Sequence, residues 1–288
     1  MRNLKSGEKM LVKDVMTKEI VYVVIPGRRK DALDTMQKKN IFNLPVVKKG
    51  SKKLVGVVSL NDLLNNPEED QLALLVNRDP LKVSSDDSIK KACQIFVREK
   101  LRNLPVVENS ELAGIIGIDD IVKKGVFKLH IEEPCRKYMK TKIAAVWENT
   151  PLNVVLNIMG YSKSLSVVVL NNSGEISGMV DREDIIKAGE VVSEMKKKDM
   201  ATSEEDEWDW ETRSTLYIGT RTLKLPKKPV KDYMTKEVVT ITSDGTITEC
   251  AKKMRKYNIE QLPVTEDNNK LIGIIRDYDI LKALIDIS

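Results

Sequence analysis

The chain has 288 residues, 41% hydrophobic and 32% charged, with a formal net charge of +5. This is the profile of a globular protein large enough for two ordinary domains; no run of about 18 apolar residues could span a bilayer, and Met1–Glu8 has no apolar signal core. Cys93, Cys135 and Cys250 are far apart and His130 is the single histidine, which argues against a disulfide framework, a structural zinc site and a histidine-based triad, and makes the reducing cytoplasm the expected compartment.

Taken from the N-terminus, the pattern opens with Val12-Lys13-Asp14-Val15-Met16-Thr17 and predicts a strand over Ile20–Val24. The next helix places Arg29, Ala32, Leu33 and Met36 on one face. Arg29 stands where an apolar residue is expected, so it either snorkels to the surface or meets an anion beside Arg28 and Lys30. The strand Leu44-Pro45-Val46-Val47 follows, then a charged turn and a second strand, Leu54-Val55-Gly56-Val57-Val58. Ser59-Leu60-Asn61-Asp62 then opens a helix. Taken alone, Ser59 and Asp62 are a capping box.

Repetition changes that reading. The strand-to-helix corner recurs at 113–120, 177–184 and 272–279, each copy ending in an aspartate: Asp62, Asp120, Asp184 and Asp279. A second strand precedes each, as in Leu104-Pro105-Val106-Val107, Leu165-Ser166-Val167-Val168 and Leu262-Pro263-Val264-Thr265. The aspartates are 58, 64 and 95 positions apart, so the unit is about 60 residues and the last gap holds an insertion. Buried helix faces are predicted at Ile89, Ala92, Cys93 and Phe96, at Leu152, Val155, Leu156 and Met159, and at Ile247, Cys250, Ala251 and Met254. Units this short must pair to bury their sheets.

Between Gly189 and Lys228 the repeat stops. Met195–Asp199 and the acidic run Glu204–Glu211 with Trp208 and Trp210 read as a mobile or partner-facing segment, and Thr215–Leu225 alternates as a small hairpin over Gly219 would. The opposite charge bias lies at the other end, where residues 1–66 carry fourteen Lys/Arg against six Asp/Glu. This basic repeat suits phosphate-bearing partners, nucleic acid included, although solvated lysines are the commoner reason for such a bias.

The ordered combination of Val-x-Asp-x-Met-Thr, Leu-Pro-Val and Gly-h-h-(Ser/Thr)-x-x-Asp (h for an apolar residue) resembles proteins with four CBS domains in tandem, among them archaeal four-repeat proteins and the gamma subunit of AMP-activated protein kinase. The resemblance covers 8–66, 72–126, 132–188 and 229–286, leaving 189–228 as the insertion. It implies an α+β fold of β-α-β-β-α repeats, paired as one with two and three with four into two Bateman modules packed as a disc, monomeric or dimeric. It implies a non-enzymatic regulatory protein with no obligatory cofactor that binds AMP, ADP or ATP and signals to a separate protein; S-adenosylmethionine or methylthioadenosine sensing and a nucleic-acid-associated scaffold are the alternatives. The absence of a nucleophile with its base, a metal cluster or a Walker lysine also argues against an enzyme.

In that family the last aspartate of the corner holds ribose hydroxyls and the Ser/Thr three positions earlier helps hold phosphate. Carried over, Ser59 and Asp62 match both places. Asp279 keeps the carboxylate with Arg276 in the hydroxyl's place, Asp120 follows Gly117, and Asp181 ahead of Asp184 would repel an anion. The resemblance therefore ranks the Asp62 and Asp279 sites first and Asp120 next. It also places a phosphate-binding cation just before the Leu-Pro-Val strand, so that Arg102 would face the Asp62 cleft, with Lys163 as the weaker counterpart in repeat three.

Overall fold

The apolar face of the first repeat helix closes on a three-stranded sheet. In the computed structural model, which describes residues 10–199, 215–266 and 269–287, Ala32 and Met36 share a core with Val23, Leu44, Val46, Val58 and Leu63. The strands are Val23–Ile25, Asn43–Lys48 and Leu54–Ser59. The first pairs parallel with the second (Val23 opposite Val46) and the second antiparallel with the third (Leu44 opposite Val58). Parallel neighbours need a crossover, and the helix Arg29–Lys39 supplies it.

The other repeats have the same plan. Their strands are Val83–Ser84, Asn103–Glu108 and Glu111–Gly117 in repeat two, and Ala145–Trp147, Ser166–Leu170 and Ile176–Asp181 in repeat three. Repeat four has Ile241–Thr242, Gln261–Thr265 and Leu271–Arg276. Each set forms its own three-stranded sheet with the middle strand shared. The faces predicted for helices Ile89–Glu99 and Ile247–Tyr257 are fully buried, including Cys93 and Cys250. In repeat three Leu152, Val155 and Met159 are buried but Leu156 is 40% exposed. Leu156 takes the helix position that Cys93 and Ala251 fill in repeats two and four. Helix Ile89–Glu99 packs against Asp277–Ile287, and helix Ile247–Tyr257 against 121–128.

The opening segments depart from the expected register. Instead of a strand over Ile20–Val24, pairing within repeat one begins at Val23. The cause is an exchange of segments: Val12 N donates to Asp87 O at 2.8 Å, and Thr17 exchanges hydrogen bonds with Ile115, so the opener of repeat one lies on repeat two. Residues 18–22 carry the chain back. Reciprocally, Asn77 exchanges hydrogen bonds with Val57. The opener of repeat three joins repeat four in the same way, Cys135 N to Gly245 O at 2.8 Å, and that of repeat four joins repeat three, Thr235 with Met179. Val230 sits in the core of repeat three.

The exchange explains the glycine of the motif. A Cβ on Gly56 would stand 2.2 Å from Asn77 O, and one on Gly114 would stand 2.7 Å from Met16 Sδ and 3.1 Å from Thr17 O. The glycine lets the neighbour's opener approach.

Glu190–Asp199 and Thr215–Lys224 form a two-stranded antiparallel sheet in which Met195 is opposite Gly219. The expected turn at Gly219 is therefore mid-strand, and the lysine-rich stretch read as mobile is its partner strand. The alternation of Thr, Tyr, Ile and Leu outweighs the one glycine. Trp208, Trp210 and the acidic run lie outside the described residues. The chain falls into two units, 10–140 with 241–264 and 274–287, and 141–240 with 265–273. Among the described residues no helix is long and apolar enough to cross a membrane.

Candidate functional site

The first repeat corner is closed on itself by capping. Ser59 is the N-cap of helix Leu60–Asn65, its Oγ accepting from Asp62 N at 3.2 Å. Asp62 Oδ2 accepts from Ser59 N at 2.8 Å and from Ser59 Oγ at 2.6 Å. This reciprocal box satisfies two donors of the first turn and leaves Oδ1 without a partner among the described residues. The half-buried pair lies in the wall of a cleft of about 320 Å³.

The cleft lies between repeats one and two and is closed by the exchanged segment. Its walls are apolar at Val57, Leu81, Leu104 and Ile115, and polar at Asn43, Asn77, Asp79 and Asn103. Apolar walls with a few placed polar groups are what a small-molecule site offers. The volume is at the lower end of the range of about 300–1,000 Å³ for such sites. Asn77 and Asp79 were not visible from sequence as site residues, because only the exchange of openers brings them beside Ser59 and Asp62.

Arg102 is not in that cleft. It stands between the lining residues Leu101 and Asn103, but its Nη2 donates to Asp277 Oδ2 at 2.7 Å and lies 3.1 Å from Glu260 Oε2. The expectation that it faces Asp62 is thus corrected. Asp277 is almost fully buried and Asp119 and Glu260 lie close by, so the concentration of negative charge draws the guanidinium in. Burial pushes the carboxyls of Asp277 and Glu260 above their usual range, with Arg102 opposing the shift in both.

The remaining corners are differently occupied. Asp120 Oδ2 accepts from Gly117 N at 2.8 Å, and Oδ1 is held by Thr17 Oγ1 at 2.9 Å and Lys124 Nζ at 2.6 Å. Asp279 is 1% exposed, with Oδ2 accepting from Arg276 N at 3.2 Å and Oδ1 near Lys282 Nζ at 3.2 Å. Arg276 Nε is buried without a hydrogen-bond partner. In the second unit, Asp184 and Asp181 cap each other's backbone, and burial raises the Asp184 carboxyl, with the Asp181 backbone N–H opposing the shift and the Asp181 carboxylate adding to it. Asp62 is the corner aspartate that lines the cleft between repeats one and two.

The arginines of the basic first repeat are also engaged. Arg29 Nε donates to Leu63 O at 2.8 Å, so it neither snorkels freely nor aims at an anion but ties helix Arg29–Lys39 to Leu60–Asn65. Arg28 Nε lies 3.9 Å from Asp70.

Comparison with known proteins agrees with this repeat plan. The CBS domain model matches residues 12–69, 72–126, 135–191 and 230–286, and the chain belongs to the CBS-domain family. An uncharacterized protein of Methanocaldococcus jannaschii is 26% identical over 281 residues, covering 96% of this chain and 62% of the relative, so the chain spans under two thirds of that relative's length. The crystal structure of an uncharacterized conserved protein from Pyrococcus horikoshii superposes with a TM-score of 0.66 at 29% identity, covering 96% of this chain and all of the other. A second M. jannaschii protein, described as a proposed archaeal homologue of the gamma subunit of AMP-activated protein kinase, gives 0.59 at 18% identity, with 96% and 100% covered, a likeness of fold.

Proposed function

We propose that this chain is a regulatory, non-catalytic CBS protein that holds an adenosine-bearing ligand in the Asp62 cleft and signals its occupancy to a separate protein. The observation that carries the reading is the cleft itself, where Asp62 Oδ1 is free to accept from a ribose diol and apolar walls stand ready for a base. Because the cleft is made by two repeats and an exchanged segment, a bound ligand favours one arrangement of the pair, which is what a partner reads. Catalysis has little to draw on. Cys93, Cys135 and Cys250 are all buried; burial pushes the Cys93 thiol up to about 12, while a hydrogen bond with Cys250 lowers that of Cys135.

Arg102 and Arg276 together tilt the expected ligand towards the phosphate-bearing nucleotides AMP, ADP and ATP, and of the two Arg102 is engaged by Asp277 and Glu260. At the Asp279 corner Arg276 Nε has no partner, but Asp279 is buried and held by Lys282. Calorimetric titration of the intact chain with adenosine, methylthioadenosine, S-adenosylmethionine, AMP, ADP and ATP tests the reading. Saturable binding that loses one site in Asp62→Ala is expected; no heat from any of the six would sink it.

A further inference from the structure

Two arginines interleave with the residues that line the Asp62 cleft, and neither enters it. Arg78 lies between the lining residues Asn77 and Asp79, but its Nη2 donates to Ala73 O at 3.0 Å. Arg102, between Leu101 and Asn103, is held by Asp277 and Glu260. What remains facing the cleft is negative: Asp62, compensated only by its own cap, and Asp79, whose carboxylate has no hydrogen-bond or ion-pair partner among the described residues. No lysine or arginine lines it. The other polar lining side chains, Asn43, Asn77, Asn103 and Ser59, are neutral.

We infer that this cleft selects by charge: its ligand is a nucleoside whose 5′ substituent is neutral or cationic, and polyphosphates are turned away. The inference rests on the adenosine reading above and narrows it. Asp62 occupies the ribose end, so the second carboxylate, Asp79, is left to read the rest of the ligand. A thioether would meet it without penalty, and a sulfonium or amine would be attracted. A triphosphate would bring several negative charges to a site with none of opposite sign, a repulsion that salt screens.

The test is titration of the intact chain with methylthioadenosine, S-adenosylmethionine, AMP and ATP, read as the binding lost in Asp62→Ala. The expected order of affinity at the Asp62-dependent site is S-adenosylmethionine, methylthioadenosine, AMP, ATP, with the spread narrowing as salt is raised. Asp79→Lys should strengthen ATP and weaken S-adenosylmethionine by about 3- to 10-fold each, the scale of an exposed ion pair gained and one lost. Asp79→Asn, which keeps the size of the side chain, should move both the same way by less. Tighter wild-type binding of AMP or ATP than of methylthioadenosine at that site overturns the inference while leaving the sensor reading intact, as does an order unmoved by both Asp79 substitutions. Binding indifferent to Asp62→Ala places the ligand elsewhere and overturns it too. Silence from all four ligands overturns the sensor reading and the inference with it.

Discussion

Arg102 and Asp277 are 175 positions apart, and no local pattern announces their ion pair. The Ser59–Asp62 box, by contrast, is a spacing of three and was legible at once. The pair has consequences that can be measured. Arg102→Ala leaves a buried carboxylate without its guanidinium and should cost about 1–3 kcal/mol in urea denaturation. Burial raises the Asp277 carboxyl above its ordinary 3.8 and that of Glu260 above 4.5, so the folded chain binds these protons more tightly than the unfolded chain does. Their contribution to stability is therefore full below the ordinary values and falls as pH rises through the folded ones. Thermal melts from about pH 3.5 to 7 should show a shallower fall over that window in Asp277→Asn than in wild type.

At the scale of elements, the helices and sheets follow from apolar spacing, and the misplaced first strand has a long-range cause. A strand was expected at Ile20–Val24 because its β-branched residues suit a sheet, but the chain is crossing between repeats there. Pairing between segments as far apart in the chain as Thr17 and Ile115 leaves one mark in the sequence, the glycine at the contact. Gly56→Ala should force Asn77 away and cost about 1–3 kcal/mol in stability. Because Asn77 also lines the cleft, the same substitution should weaken ligand binding. Ser59→Ala removes the cap together with a partner of Asp62, and chemical denaturation should report a loss of about 1 kcal/mol. Gly219 taught the opposite lesson, since there a glycine in an alternating run sits within a strand.

Across the whole molecule, each opener completes a sheet that is not its own. Deleting residues 1–17 should therefore destabilise repeat two more than repeat one, although the deleted residues belong to the latter. Hydrogen exchange should quicken over 83–117, where Val12, Lys13 and Thr17 pair, while 43–48 stays protected. The period of the repeat in sequence and the period of a foldable piece thus differ. A fragment cut at the seam between repeats lacks the opener that its neighbour carries and bears one that it cannot use. The smallest portion of this chain that can be copied, moved or grafted and still close its sheets is a pair.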